Sequence, residues 1–133
     1  MGYTLLYAMS EKKSILKEQS FQFALDIITT YKQLTEEKRE YVLSKQLLRS
    51  GTSVGANIRE AQNAQSRADF IHKLSISQKE CDESLYWLEL LHQSDYLTDE
   101  VFSELHSKAE RLLKMLRSAI LTTKQKPPIT HNP

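Results

Sequence analysis

The sequence predicts an all-α protein, an antiparallel up-down-up-down four-helix bundle, on three observations. The 133-residue chain holds only three glycines and three prolines, where average usage gives about 16, and turn-rich β folds need many such breakers. Four long segments repeat apolar residues every three or four positions. The breaks between them are short, so consecutive helices must fold back antiparallel. The segments are 14–34, 36–65, 67–93 and 98–123, inside a bundle spanning 14–124. Residues 1–13 are expected as a tail or a misplaced start, and 125–133 as a C-terminal tail.

The first helix carries Phe23, Ala24, Ile27, Tyr31 and Leu34 on one stripe, with Phe21, Leu25 and Ile28 on a second. Thr35, followed by Glu36 and Glu37, reads as the start of the second helix, because a hydroxyl caps free amides and acids suit the positive dipole end. Its stripe is Leu43, Leu47, Gly51, Val54, Ile58 and Ala61. Ser66-Arg-Ala-Asp69 resembles a capping box and opens the third helix. There Phe70, Leu74, Ser77, Cys81, Ser84, Leu88 and Leu91 alternate steps of four and three, the seam of left-handed bundle packing. The fourth helix opens at Thr98 with Asp99 and Glu100 in its first turn, and Pro127-Pro128 forbid its continuation.

Composition narrows the function classes. A single cysteine excludes an internal disulfide framework and suits a reducing cytoplasm. The apolar run Tyr3-Thr-Leu-Leu-Tyr-Ala-Met9 is far too short to span a membrane and lacks a basic leader. Phe21, Leu25, Ile28, Tyr86, Trp87 and Leu90 lie off the main seams, and a helix apolar on two faces points to a subunit contact. The expected partner is therefore a second copy of the chain, with fat-core packing as the alternative.

No enzyme is expected. Gly51-Thr-Ser-Val-Gly55 has the letters of a hydrolase nucleophile elbow, but that motif needs a strand-to-helix turn, and its flanks here are helical. Glu89-x-x-His92 and Asp69-x-x-His72 echo di-iron bundle pairs, yet both lie on one helix about 30 Å apart. They read as solvated surface histidines, with no metal, cofactor or small-molecule substrate. Cys81, flanked by Glu80, Asp82 and Glu83, reads as a structural thiol.

Residues 49–61 are the anomalous stretch. Two glycines inside a helix cost about 1 kcal/mol each, and Ser, Thr and Asn compete with helical backbone bonding. Either close helix approach or a functional surface offsets that cost, with Arg49, Asn57 and Arg59 as candidate contacts. Charge is also polarised. Folding the helices back gathers nine basic residues, among them Arg59, Arg67 and Lys73, against four acidic ones at one end. The other end has three basic against eight acidic. The basic end can hold phosphates; helix-dipole compensation accounts for the same pattern.

The segments Ser20-Phe-Gln-Phe-Ala24, Gln46-Leu-Leu-Arg-Ser-Gly-Thr-Ser-Val-Gly-Ala-Asn-Ile-Arg-Glu-Ala61, Asp69-Phe-Ile-His-Lys-Leu74, Lys79-Glu80 and Tyr86-Trp-Leu88 resemble the bacterial four-helix bundle family, the ribosomal RNA intervening-sequence proteins. The resemblance covers about residues 14 to 122. It implies an antiparallel bundle assembled as a homopentamer, with no established enzymatic activity. It also implies kinship with the accessory proteins of diversity-generating retroelements, which bind nucleic acid and are strongly basic, unlike this nearly neutral chain. On the family's motif positions, Arg49, Asn57, Arg59 and Lys73 are the candidate contacts to RNA or a nucleoprotein. The alternative is a purely structural or protein–protein assembly module.

Overall fold

Four helices account for nearly all of the computed structural model, which describes residues 2–125: α1 Gly2–Glu36, α2 Leu43–Gln62, α3 Arg67–Gln93 and α4 Asp99–Gln125. No strand occurs among the described residues. Each helix packs on its neighbours in sequence and α1 closes on α4, while the diagonal pairs do not approach at the backbone. Cross-helix pairs run antiparallel: Gln62 reaches the Lys13 carbonyl while Gly51 meets Ile27, and Lys73 pairs with Glu60 while Ser84 meets Ser50. The result is the expected up-down-up-down bundle.

The α3 seam is buried as its period requires, with Leu74, Ser77, Cys81, Ser84, Leu88 and Leu91 inside; Phe70, at the open end, is half-buried. Phe23, Ile27, Leu47, Val54, Leu112 and Leu116 fill the centre with almost no exposed surface. No described helix is long and apolar enough to cross a membrane.

Two helix starts form as expected. The Ser66 hydroxyl accepts the Asp69 N–H at 3.0 Å, and the Thr98 hydroxyl accepts that of Val101 at 3.2 Å. The first turn differs from expectation. Thr35 caps nothing; its hydroxyl donates to the Tyr31 carbonyl inside the last turn of α1. Residues 35–42 contain no glycine or proline, so α1 runs on to Glu36 and stops only where Arg39 adopts φ 53°. The second helix therefore starts at Leu43 instead of 36, and ends at Gln62 instead of 65.

Its N-terminus is held by a residue ahead of the helix. Glu40 accepts the N–H groups of Val42 and Leu43 on one carboxylate oxygen (3.2 and 2.9 Å) and of Ser44 on the other (2.7 Å). Burial opposes the charge, but these donors outweigh it and hold the Glu40 carboxyl below its ordinary value.

At the other end of the chain's helical run, residues 2–13, expected as a tail, continue α1 without a break. Between Tyr3 and Leu34 there is no glycine or proline to stop the helix. The expected C-terminal tail beyond Gln125 lies outside the described residues.

The α3–α4 turn is a Schellman motif: the Tyr96 N–H returns to the Leu91 carbonyl at 2.9 Å and that of Asp95 to His92 at 3.1 Å. Asp95 occupies the left-handed position, φ 67°, where glycine is favoured. It also places a negative charge at a helix C-terminus. Asp95→Gly is accordingly expected to stabilise the fold by about 1 kcal/mol, seen as a higher thermal midpoint; an unchanged or lower midpoint contradicts this account. Glu40→Gln is expected to lose about 1 kcal/mol at pH 7. Because the folded-state pKa is lowered, that contribution is present above the ordinary carboxylate range and lost as pH falls through the folded value. The gap between wild-type and variant melting temperatures should narrow as pH falls below the ordinary carboxylate range.

Candidate nucleic-acid interface

The anomalous stretch of α2 is shaped by its neighbours. A Cβ at Gly51 would lie 2.9 and 3.0 Å from the γ-carbons of Ile27, which is fully buried on α1. At Gly55 it would meet the Ser20 hydroxyl at 3.3 Å. On the opposite flank of α2, the Ser84 hydroxyl donates to that of Ser50 at 2.9 Å, and that of Ser77 to the Val54 carbonyl at 2.8 Å. Small residues thus let α2 sit close to both α1 and α3. Ser53 is no nucleophile at an elbow: it lies in the middle of a continuous helix and donates to the Arg49 carbonyl at 2.6 Å.

The candidate contacts do not form one patch. Arg49 bridges to α3, its guanidinium donating to Glu80 and Glu83 at 3.1 Å each. The hydrogen bond to Glu83, against some burial, raises its already high pKa. Lys73 reaches back from α3 to Glu60 at 2.9 Å, which raises the lysine's pKa. Asn57, half-buried, donates to the Ser53 carbonyl within its own helix at 2.8 Å. Arg59 turns the other way and lies over the Phe21 ring of α1, 5.4 Å from its centroid. Arg67 opens α3 and is half-buried.

Topology nevertheless collects charge at this end. The start of the bundle part of α1, the α2–α3 turn and the last turns of α4 meet there. Among the residues whose side chains the structure describes, they carry Lys13, Lys17, Arg59, Arg67, Lys73, Arg117 and Lys124 against Glu11, Glu18, Glu60 and Asp69. Lys13 sits over the Phe70 ring at 4.8 Å, tying α1 to the start of α3.

Of the candidate subunit contacts, Phe21, Leu25 and Tyr86 are exposed, whereas Ile28 and Trp87 are half-buried. Trp87 packs edge-on against Tyr86 at 5.1 Å, and its buried indole N–H has no partner. Among residues that sequence reading overlooked, Tyr41 and Val42 stand outside any helix with 60% and 72% of their surface exposed. Lys108 also passed unnoticed; it ties α4 to Asp26 of α1 at 2.6 Å.

The histidines are less solvated than expected. His92 donates to Asp99 (2.7 Å) and stacks on Phe102 at 4.1 Å, because the tight α3–α4 turn brings that ring onto it; among the described histidines only His72 is exposed. Cys81 is buried, its thiol reaching the Ala109 carbonyl at 3.1 Å, and burial pushes its pKa up to about 12. A neutral thiol sealed in this way is poorly nucleophilic.

An all-α bundle of this topology, with a glycine–serine second helix and a charged end, defines the class. The chain belongs to the 23S rRNA-intervening sequence protein family, whose match spans residues 12–118. It is also similar to a crystal structure of a protein of unknown function from the S23 ribosomal protein family of Bacteroides thetaiotaomicron VPI-5482, at 50% identity and a TM-score of 0.82. That likeness covers 83% of this chain and 98% of that one. Comparison with curated proteins gives no match.

The two glycines separate in a simple experiment. Gly51→Ala is expected to destabilise the fold by about 1–2 kcal/mol in urea unfolding, overpacking against Ile27 outweighing the gain in helix propensity. Gly55→Ala, whose nearest neighbours are the Ser20 hydroxyl and carbonyl at 3.3 and 3.4 Å, should cost less, the gain in helix propensity offsetting a milder contact. Equal effects at the two positions contradict this packing account.

Proposed function

We propose that this protein is a non-enzymatic, self-associating helical adaptor that holds RNA, or a nucleoprotein containing it, at the basic end of the bundle. The observation that carries the reading is the seven-against-four excess of basic residues, drawn from all four helices, at that end. Clustered cations bind phosphate by releasing condensed counterions. The family's own description connects it with 23S rRNA intervening sequences, and the solved relative is assigned to a ribosomal protein family. Both favour RNA as the polyanion. Self-association supports the reading because a symmetric assembly repeats the basic end several times over, raising avidity. The exposed Phe21, Leu25 and Tyr86 are the proposed contacts between copies, and a homopentamer is the assembly that the resemblance implies.

A second reading, an assembly module with no nucleic acid, is favoured by one observation: Arg49 and Lys73 are already engaged by carboxylates of the same chain. The phosphate contacts are therefore assigned to Arg59, Arg117 and Lys124 ahead of those two.

Fluorescence anisotropy with a structured RNA, titrated with salt, separates the readings. Affinity is expected to fall steeply as salt rises. Changing Arg59, Arg117 and Lys124 together to Gln should shallow the log–log salt slope by about two to three and leave the helical circular dichroism unchanged. Salt-independent affinity, or no binding at low salt, overturns the proposal in favour of the assembly module.

A further inference from the structure

We infer that the acidic end of the bundle docks head to tail on the basic end of a second copy of this chain. The two turns at the acidic end present large apolar side chains to solvent: Tyr41 and Val42 before α2, and Tyr96 after α3, the last 36% exposed. Around them lie Glu36, Glu37, Asp95, Asp99 and Glu100, with Lys38 and Arg39 in the same turn, all exposed, so the rim keeps an acidic excess. A surface that is apolar at its tip and acidic at its rim fits a partner that is apolar and basic.

The chain itself carries such a surface at its other end. Ile15 on α1 is 43% exposed and Leu121 on α4 57%, on stretches that carry Lys17, Arg117 and Lys124 with Glu11 and Glu18 beside Ile15. The two ends are separated by the length of α3, 27 residues or about 40 Å. Opposite charges held that far apart on a molecule of net charge +1 make a dipole with little overall repulsion between copies. The favourable approach of two such dipoles is end to end. Because α1 runs on past the α2–α3 turn, the incoming copy is received beside α1, on that turn and the end of α4.

This contact is distinct from the side-by-side one through Phe21, Leu25 and Tyr86. It joins unlike surfaces at opposite ends of the molecule, so each copy can take one neighbour at either end, forming a chain or, where the rotation closes, a ring. It does not rest on RNA binding, although both use the basic end and RNA bound there would compete with it.

Sedimentation velocity without RNA provides the test. At about 50 mM salt the wild-type mass is expected to rise with concentration to at least about twice its value at about 500 mM salt, since charge contacts are screened. Tyr41→Ser/Val42→Ser, altering only exposed side chains, should stay at the high-salt mass, as should Arg117→Glu/Lys124→Glu. An equal mixture of the two variants retains one intact acidic and one intact basic end, and should therefore form a species of about twice that mass and no larger. A wild-type mass indifferent to salt, growth of either variant alone beyond the high-salt mass, or a mixture that stays at that mass overturns the inference, whatever side-by-side assembly the high-salt mass itself reports.

Discussion

The close approach of α2 to both of its flanking helices is the constraint on which the rest of the bundle depends. Gly51 leaves room for Ile27 where any side chain would collide, and Ser50 and Ser77 let α3 come in from the other side with their hydroxyls satisfied. Only with α2 so placed are Phe23, Leu47, Val54 and Leu88 sealed from water. Each helical glycine costs about 1 kcal/mol in propensity, and burial of a single large apolar side chain contributes about 1.5–3 kcal/mol in return. The motif that looks least helical in sequence is thus the one that lets the helices pack. Its polar letters are accounted for inside the chain, which moves the case for a binding surface away from Arg49 and Asn57 and toward the bundle's ends.

Those ends differ because an up-down-up-down path sorts helix starts and finishes. Dipole compensation explains part of the charge: Asp99 and Glu100 in the first turn of α4, Lys124 in its last turn, and Arg59 in the last turn of α2 all suit their local helix ends. It does not explain Arg67, which opens α3, where a positive charge faces the positive end of the dipole. Lys73, in the second turn, is held by Glu60 of α2. The basic end is thus built by the way the helices are brought together as well as by dipole compensation, and that gathering of cations gives it its interest as a polyanion or subunit contact.

What the sequence disclosed follows from how local each signal is. The α3 seam was legible because seven positions keep one strict period, and its start was legible because Ser66 and Asp69 stand three residues apart, within reach of a single capping bond. The α1–α2 boundary was not legible. Its stop depends on Arg39 taking a left-handed conformation that no glycine announces, and its restart on Glu40, which reaches forward from outside the helix where a capping residue is ordinarily sought. The partners of the candidate site residues were hidden for a different reason. Arg49 finds Glu80 31 residues away, and Arg59 finds Phe21 on another helix, pairings fixed only once rotation and register of α2 are set by the glycines and serines.

The same constraint leaves the fourth seam the weakest. With α2 drawn tightly to α1 and α3, and α3 to α4, the α1–α4 contact is the least extensive of the four. Grooves of about 240 and 220 Å³ run along it, one beside Lys108 and Arg111, the other lined by Leu16, Met115 and Ala119. Asp26 and Lys108, each mostly withdrawn from solvent, clamp this seam, and the bond to Asp26 against partial burial raises the lysine's pKa and keeps it charged. An ion pair thus bridges the seam where side-chain packing between neighbouring helices is sparsest. Because α1 also bears Phe21 and Leu25 exposed on its outer side and frames the basic end, a helix loosely held along one seam keeps apolar surface for contacts beyond the chain.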